Sequence, residues 1–371
     1  MIKTIRPLAE YLAEIRDPRK AKGLRHPLVA ILCLVCVALM SGAKNPKAIA
    51  NWWKNRQDLG PLLKRLGFTK SYGPSKSTLY RVLSLVPIEC LEAKLQQWSE
   101  DNVADVPPSP GELEGVAVDG KTLRGSRRLL SAFSHRLGLT LGQLAVADKT
   151  NEIGPTPDLL AGLIIEGRIF TMDALLTRRE IAQTIVDHKG DYVMIVKDNQ
   201  PTLRADIELL FADPEAAPSF VEDCSVTTDK GHGRLEVRTL QTSSALNDYL
   251  DWPGLQQVFR LERKTIILKT GEVRTETVCG LTSLTAQRAG AAQLQGLVRG
   301  HWGIENRSYW VRDVTFGEDK SQVRHGYLPQ VMAALRNCVI SLLRLHNFRL
   351  IPDALDYFAA RSLEALAAIG C

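Results

Sequence analysis

Arg168-Ile169-Phe170-Thr171-Met172-Asp173 and Gly115-Val116-Ala117-Val118-Asp119 are the two stretches on which the fold turns. Each is an apolar run of strand length closed by a carboxylate, and each is too short for an ordinary helix. Around them strands alternate with helices. Strands are expected at 139–147, with 131–135 pairing beside it, and at 192–196; helices are expected at 157–163, 178–188 and 202–211. Further on, 221–281 reads as β-rich, with strands at 234–240, 257–268 and 273–281, and 286–313 and 329–346 read as long helical stretches. Upstream, apolar residues recur at helical spacing in 8–15, 27–40, 49–53 and 91–98, with no strand signal. The run Val106-Pro107-Pro108-Ser109-Pro110-Gly111 breaks any regular element and marks a boundary. The expected organisation is a helical domain at 1–105, an α/β core at 112–220, a β-rich insertion at 221–281 and the second part of the core at 282–371.

The 371 residues carry a net charge of +6, unevenly placed: residues 1–105 hold 17 Lys and Arg against 9 Asp and Glu, a net of +8. A basic head on a slightly acidic body suits a polyanion partner, although a solvated basic surface has the same composition. The longest apolar run, 28–40, is shorter than the roughly 20 residues that span a bilayer, so a buried helix, no membrane association and a cytoplasmic location are expected. Cys33 and Cys36 lie in that run without a second pair or a His to complete a zinc site, and read as buried thiols. Ser75 or Ser77 can cap a short helix bearing Lys76 and Arg81, which has the make-up of a DNA recognition helix and equally of an ordinary capped one.

Asp119 and Asp173 close neighbouring strands, and Glu305 lies in the helical stretch Gly300-His301-Trp302-Gly303-Ile304-Glu305-Asn306. Carboxylates from separate elements are the ligands that hard Mg²⁺ ions prefer, and a pair of such ions cuts phosphodiesters without a covalent intermediate. In a chain with 41 acidic residues such a set also arises by chance.

The runs Val118-Asp119-Gly120-Lys121-Thr122-Leu123-Arg124-Gly125-Ser126, Lys149-Thr150-Asn151-Glu152-Ile153, Thr171-Met172-Asp173-Ala174-Leu175 and Tyr192-Val193-Met194-Ile195-Val196-Lys197-Asp198-Asn199-Gln200-Pro201 resemble, in this order, the DDE transposases of bacterial insertion sequences, in the branch of H-repeat-associated proteins. His301-Trp302-Gly303-Ile304-Glu305-Asn306, continuing through Tyr309-Trp310-Val311-Arg312-Asp313-Val314-Thr315-Phe316 to Glu318-Asp319, is similar to the branch's final motif. Ile15-Arg16-Asp17-Pro18-Arg19, Arg25-His26-Pro27-Leu28 and Pro74-Ser75 resemble its associated N-terminal domain. The resemblance covers nearly the whole chain. It implies a ribonuclease H-like core, a mixed sheet flanked by helices, with Asp119, Asp173 and Glu305 as catalytic residues and ligands of two Mg²⁺ ions, for which Mn²⁺ substitutes. It also implies that the β-rich insertion helps hold the transposon end. Tyr309 stands where the branch has His, Arg178 where it has Gln, and Arg312 where it has an apolar residue; none of these removes a ligand.

Further residues have two readings each. Lys121 and Arg124 suit a scissile-strand phosphate or a salt bridge; Lys197, Asn199 and Gln200 end a core strand on the edge where Asp173 emerges, and suit DNA contact there. Asn151 and Glu152 either support the metal ligands or belong to a self-bonded loop. His301 is a phosphate or metal-side group or a packed residue, and Trp302 and Trp310 are stacking platforms for a splayed base or core residues. Trp252 has the same two uses, and His232 and Arg234 form a basic turn. Arg312, one to two turns after Glu305, stands where related transposases contact terminal DNA. Glu318 and Asp319 rival Glu305 as third ligand. The expected activity is that of a DNA transposase, a polynucleotidyl transferase and endonuclease that hydrolyses the phosphodiester at each transposon end and joins the freed 3′-hydroxyl to target DNA. The partners are terminal inverted repeats, target DNA and a second protomer, in a nucleoid-associated dimer. The alternatives are a nuclease that cuts without joining and a domesticated, non-catalytic DNA-binding protein.

Overall fold

A computed structural model describes residues 5–21, 24–55, 59–123, 127–146, 152–212 and 221–371. The fold is mixed α/β. The chain divides into two compact units: Met1–Glu112 with Gly120–Leu163 and Gly303–Cys371, and Leu113–Asp119 with Ile164–Trp302. The N-terminal helices thus share a unit with two later segments.

In the first unit, β1 (Gly115–Thr122) enters at Gly120 and is followed by β2 (Arg128–Ser134), which pairs antiparallel with β3 (Thr140–Val146); Leu123 N–H donates to Arg127 O. The helices α1 (Leu8–Ala13), α2 (Leu28–Met40), α3 (Pro46–Lys54), α4 (Leu59–Arg65), α5 (Lys76–Leu83) and α6 (Ile88–Ala104) precede them. Every residue of α2 except Val29 is buried, as its lack of any polar face requires. Such a helix must be covered on all sides, and the 18-residue helix Leu328–Leu345 packs on both α2 and α6. This explains why residues 1–112 do not close a core by themselves.

A polar network crosses that packing. Glu92 of α6 accepts hydrogen bonds from Gln143 Nε2 at 2.7 Å and from Gln330 Nε2 at 2.9 and 3.0 Å, while Asn337 Nδ2 donates to Gln143 Oε1 at 2.9 Å. Burial pushes the Glu92 carboxyl up to about 7, against the pull of the two amides. Folding therefore holds a proton that the unfolded chain releases. The stability contributed is complete below the ordinary value of 4.5 and is lost as pH rises through about 7. Gln330 Oε1 is a buried acceptor with no partner among the described residues, so a rotated Gln330 amide can accept from an amide at position 92. In thermal melts, Glu92→Gln is expected to gain on the wild type by up to about 3 kcal/mol between about pH 5 and about pH 8. A difference that does not change with pH would remove Glu92 as the titrating group.

In the second unit, the start of β1 pairs parallel with β4 (Ile169–Met172), and β4 pairs parallel with β5 (Asp191–Val196). From β5 the sheet continues antiparallel through β9 (Val273–Thr282), β8 (Gln257–Ile267), β7 (Arg234–Ser243) and β6 (Asp223–Gly231). The β-rich stretch is thus continuous with the parallel strands, and β6 adds a strand not expected from the sequence. The join is tight: a Cβ on Gly280 would stand 2.1 Å from the Phe259 ring and 2.7 Å from Met194 O, so only Gly lets β5, β9 and β8 approach there. The β6–β7 turn has both central residues, His232 and Gly233, at positive φ, matching the twist of a tight hairpin. The helix Ala291–His301 lays Ala291, Leu294, Leu297 and Val298 on Ile169, Val193, Leu240 and Phe259.

Candidate active site

In the second unit the register Val118↔Met172 brings Asp119, which lies within β1, level with Asp173, which directly follows β4. Neighbouring strands lie ~4.8 Å apart, so the two carboxylates are borne within reach of one cation. Both residues are half-buried. Asp173 Oδ1 accepts from Leu175 N at 3.0 Å and Leu176 N at 3.3 Å, capping the short 3₁₀ turn Ala174–Leu176. A cation would accordingly meet its other oxygen.

That turn is fastened from three sides. Thr177 Oγ1 shares its one O–H between Ile195 O at 2.5 Å and Asp173 O at 3.1 Å, Asn199 Nδ2 donates to Ala174 O at 2.5 Å, and Gln200 Nε2 to Thr177 O at 3.2 Å. Asn199 and Gln200 therefore hold the loop that carries Asp173, a role their position after β5 did not disclose. Lys197 is exposed beside them.

His301 ends its helix with Nδ1 3.1 Å from Thr171 O and 3.0 Å from Thr171 Oγ1. A carbonyl only accepts, so Nδ1 carries the proton and Nε2 has its lone pair available. Burial lowers the imidazole pKa further than the Asp173 charge and the Thr171 bond raise it, which keeps the ring neutral near pH 7. Trp302 is 51% exposed, with its ring edge-on to His301 at 6.4 Å.

In the first unit, Glu305 is exposed and begins the π-helical turn Glu305–Tyr309, followed by a second, Val311–Thr315. Such turns are rare and concentrate at functional sites, because the extra residue per turn re-aims side chains. The later charged residues Arg312, Asp313 and Glu318 are engaged by other partners. Lys121 Nζ donates to Asp313 Oδ2 at 2.5 Å and lies over the Tyr309 ring at 5.5 Å. Arg312 is fully buried, its Nε 2.8 Å from Glu318 Oε2, and Arg336 Nη1 is 2.8 Å from Glu318 Oε1. With both oxygens of Glu318 so taken, that rival is an internal counterion; Asp319 is exposed. The sequence contained no sign of the Arg336 partner, which is 18 residues from Glu318.

Glu152 is buried, its carboxyl occupying the space where a Cβ on Gly120 would come within 2.0 Å, and Arg128 Nε is 3.5 Å away. The missing side chain of Gly120 is what admits the Glu152 carboxyl. Arg124 and Asn151 lie outside the described residues. On α5, Ser75 is the cap, accepting from Thr78 N at 3.2 Å, and Lys76 and Arg81 are exposed, with Lys76 Nζ over the Tyr80 ring at 5.8 Å. Trp310 is 54% exposed, so neither it nor Trp302 is a core residue. Trp252 is half-buried and its indole N–H has no partner among the described residues. Arg234 pairs with Glu236 at 3.0 Å. Among the described residues no three His, Cys, Asp or Glu side chains are grouped as metal ligands, and no helix is long and apolar enough to cross a membrane.

Residues 110–342 match the family model described as "Transposase DDE domain", and residues 9–99 match the one described as "DDE_Tnp_1-associated". The chain belongs to the DDE transposase family. Over 362 residues it is 30% identical to "Putative protein YbfL" of Escherichia coli (strain K12), covering 91% of this chain and 90% of that one. It is 29% identical to "Putative transposase YncI" of Escherichia coli O157:H7, with 92% and 88% covered. It is also 29% identical to "H repeat-associated putative transposase YhhI" of Escherichia coli (strain K12), with 91% and 90% covered. The resemblance to the H-repeat-associated branch is thereby borne out. DDE transposases act on DNA and generally use divalent metal ions, and a transposase role follows for this chain.

Proposed function

We propose that this DDE transposase hydrolyses the phosphodiester at transposon ends and transfers the resulting 3′-hydroxyl into target DNA, using Asp119, Asp173 and Glu305. The observation that carries the reading is the register that sets Asp119 on β1 level with Asp173 at the end of parallel β4. A ribonuclease H-like core is part of this reading, supported by the antiparallel pair β2 and β3 and the parallel pairings of β1 with β4 and of β4 with β5. Two half-buried carboxylates with hard oxygen donors fit Mg²⁺ or Mn²⁺, and Glu305 is the acid of its helical segment that is exposed and not absorbed by a buried ion pair. Bound there, the ions supply Lewis acidity to the attacking and leaving oxygens.

The protein's own groups do the rest. The Thr177, Asn199 and Gln200 bonds hold Asp173 in place, so little reorganisation accompanies the reaction. Neutral His301 offers Nε2 as a proton acceptor beside the Asp173 charge. Exposed Lys197 meets a phosphate as a point charge, and Trp302 offers a face for a base. Lys76 and Arg81 on the capped helix of the first unit, and Arg234 on the β6–β7 hairpin of the second, are further phosphate contacts. Because two ends are joined to one target, the acting form is a dimer on DNA.

The test is to mix the protein with duplexes carrying the inverted repeats that flank its gene, a supercoiled plasmid and Mg²⁺. Joined products are expected, and none in EDTA. Cleavage without joining would leave a nuclease; tight end binding with neither would leave a non-catalytic DNA-binding protein.

A further inference from the structure

The first unit holds a second basic site, built on the turn between β2 and β3. Arg307 Nη1 donates to His135 O at 2.8 Å, and Arg344 donates to Gly138 O and Arg307 O. Both guanidiniums lie over the Phe133 ring, at 5.8 and 5.7 Å. The turn is shaped for them: Gly138 has φ +71°, and a Cβ there would stand 2.2 Å from Arg307 Nη2. No ion pair among the described residues includes either arginine. Burial first, and then the Arg307 charge, pull the Arg344 pKa down to about 9, and burial lowers Arg307 as well. Two half-buried cations answered, among the described residues, by carbonyl dipoles and one aromatic face are short of negative charge.

They line a cavity of about 500 Å³ together with Asn306, Trp310, Phe348 and Arg349. Its lining contains no Asp or Glu. The size falls within the range of small-ligand pockets. Guanidiniums donate in a planar fork that matches phosphate oxygens, and an exposed indole accepts a flat ring.

We propose that this pocket binds a nucleotide, with its phosphate on Arg307 and Arg344, Arg349 at the mouth, and its base against Trp310. The nucleotide is either a free monophosphate or one unit of a single strand; both present the same phosphate and ring. Titration calorimetry in EDTA with dTMP and, separately, with a short oligothymidylate tests the site and tells these sources apart. Because no cleavage occurs in EDTA, the result is independent of the carboxylate assignment. Binding of at least one probe is expected, weakened about tenfold or more by Arg344→Gln and several-fold by Arg349→Gln. Trp310→Ala should weaken both nucleotide probes. Arg349 is exposed, so its variant decides the matter if Arg344→Gln does not fold. Failure of both probes to bind the wild type, or unchanged affinity in Arg349→Gln and in a folded Arg344→Gln, would overturn the proposal.

Discussion

Asp119→Asn, Asp173→Asn and Glu305→Gln should each lower end cleavage by on the order of a thousandfold or more while leaving affinity for end DNA within a few-fold of wild type. Loss of a group that merely orients a metal ligand already costs 10–100-fold, and loss of a ligand costs more. The amides keep shape and hydrogen-bonding capacity, so the fold should survive. Asp173→Asn is the most informative of the three. Its amide oxygen can still cap Leu175 and Leu176, so a dead Asp173→Asn with an unchanged melting temperature separates chemistry from capping. Asp319→Asn is the matching control and should cleave normally. If Asp319→Asn were dead and Glu305→Gln active, Glu305 would lose its assignment to the neighbouring acid.

The second large effect concerns stability. Glu318→Gln should destabilise the protein by about 3–5 kcal/mol, because it removes the carboxylate with which buried Arg312 and Arg336 are paired. For a chain of this length that is roughly a 5 °C fall in melting temperature. Burial raises the Glu318 carboxyl pKa, but the two guanidiniums outweigh it and the net shift is downward. Stability from this ion cluster is therefore present above the ordinary carboxylate range and lost as pH falls through the lowered value. The wild type should lose part of its advantage over Glu318→Gln in acid. A melting temperature within about 1 °C of wild type at neutral pH would show that the cluster contributes nothing net.

These two experiments divide the acidic residues by a property that sequence patterns report poorly. The strands that carry Asp119 and Asp173 were legible because strand length and apolar content are local; Asp173 does follow its strand, whereas Asp119 lies within β1, which runs on to Thr122. The Ser75 cap was equally local, as were the three strands of the β-rich stretch. Glu318 and Glu305 look alike in sequence, and only packing distinguishes them: one is enclosed by arginines six residues before it and 18 after it, the other faces solvent.

The same holds for the basic and aromatic residues. Lys121 and Arg312 stand where phosphate contacts were expected, yet each is tied to a carboxylate inside its own unit. Trp302 and Trp310 had the composition of core residues and are half exposed. What the sequence determined is everything set by neighbours along the chain: strand and helix propensity, caps, turn residues and the order of motifs that places the protein among DDE transposases. What the tertiary structure decided is which charges are neutralised and which aromatic faces stay open. Those depend on residues far apart in sequence meeting at low dielectric, where a charge must find a partner or face solvent.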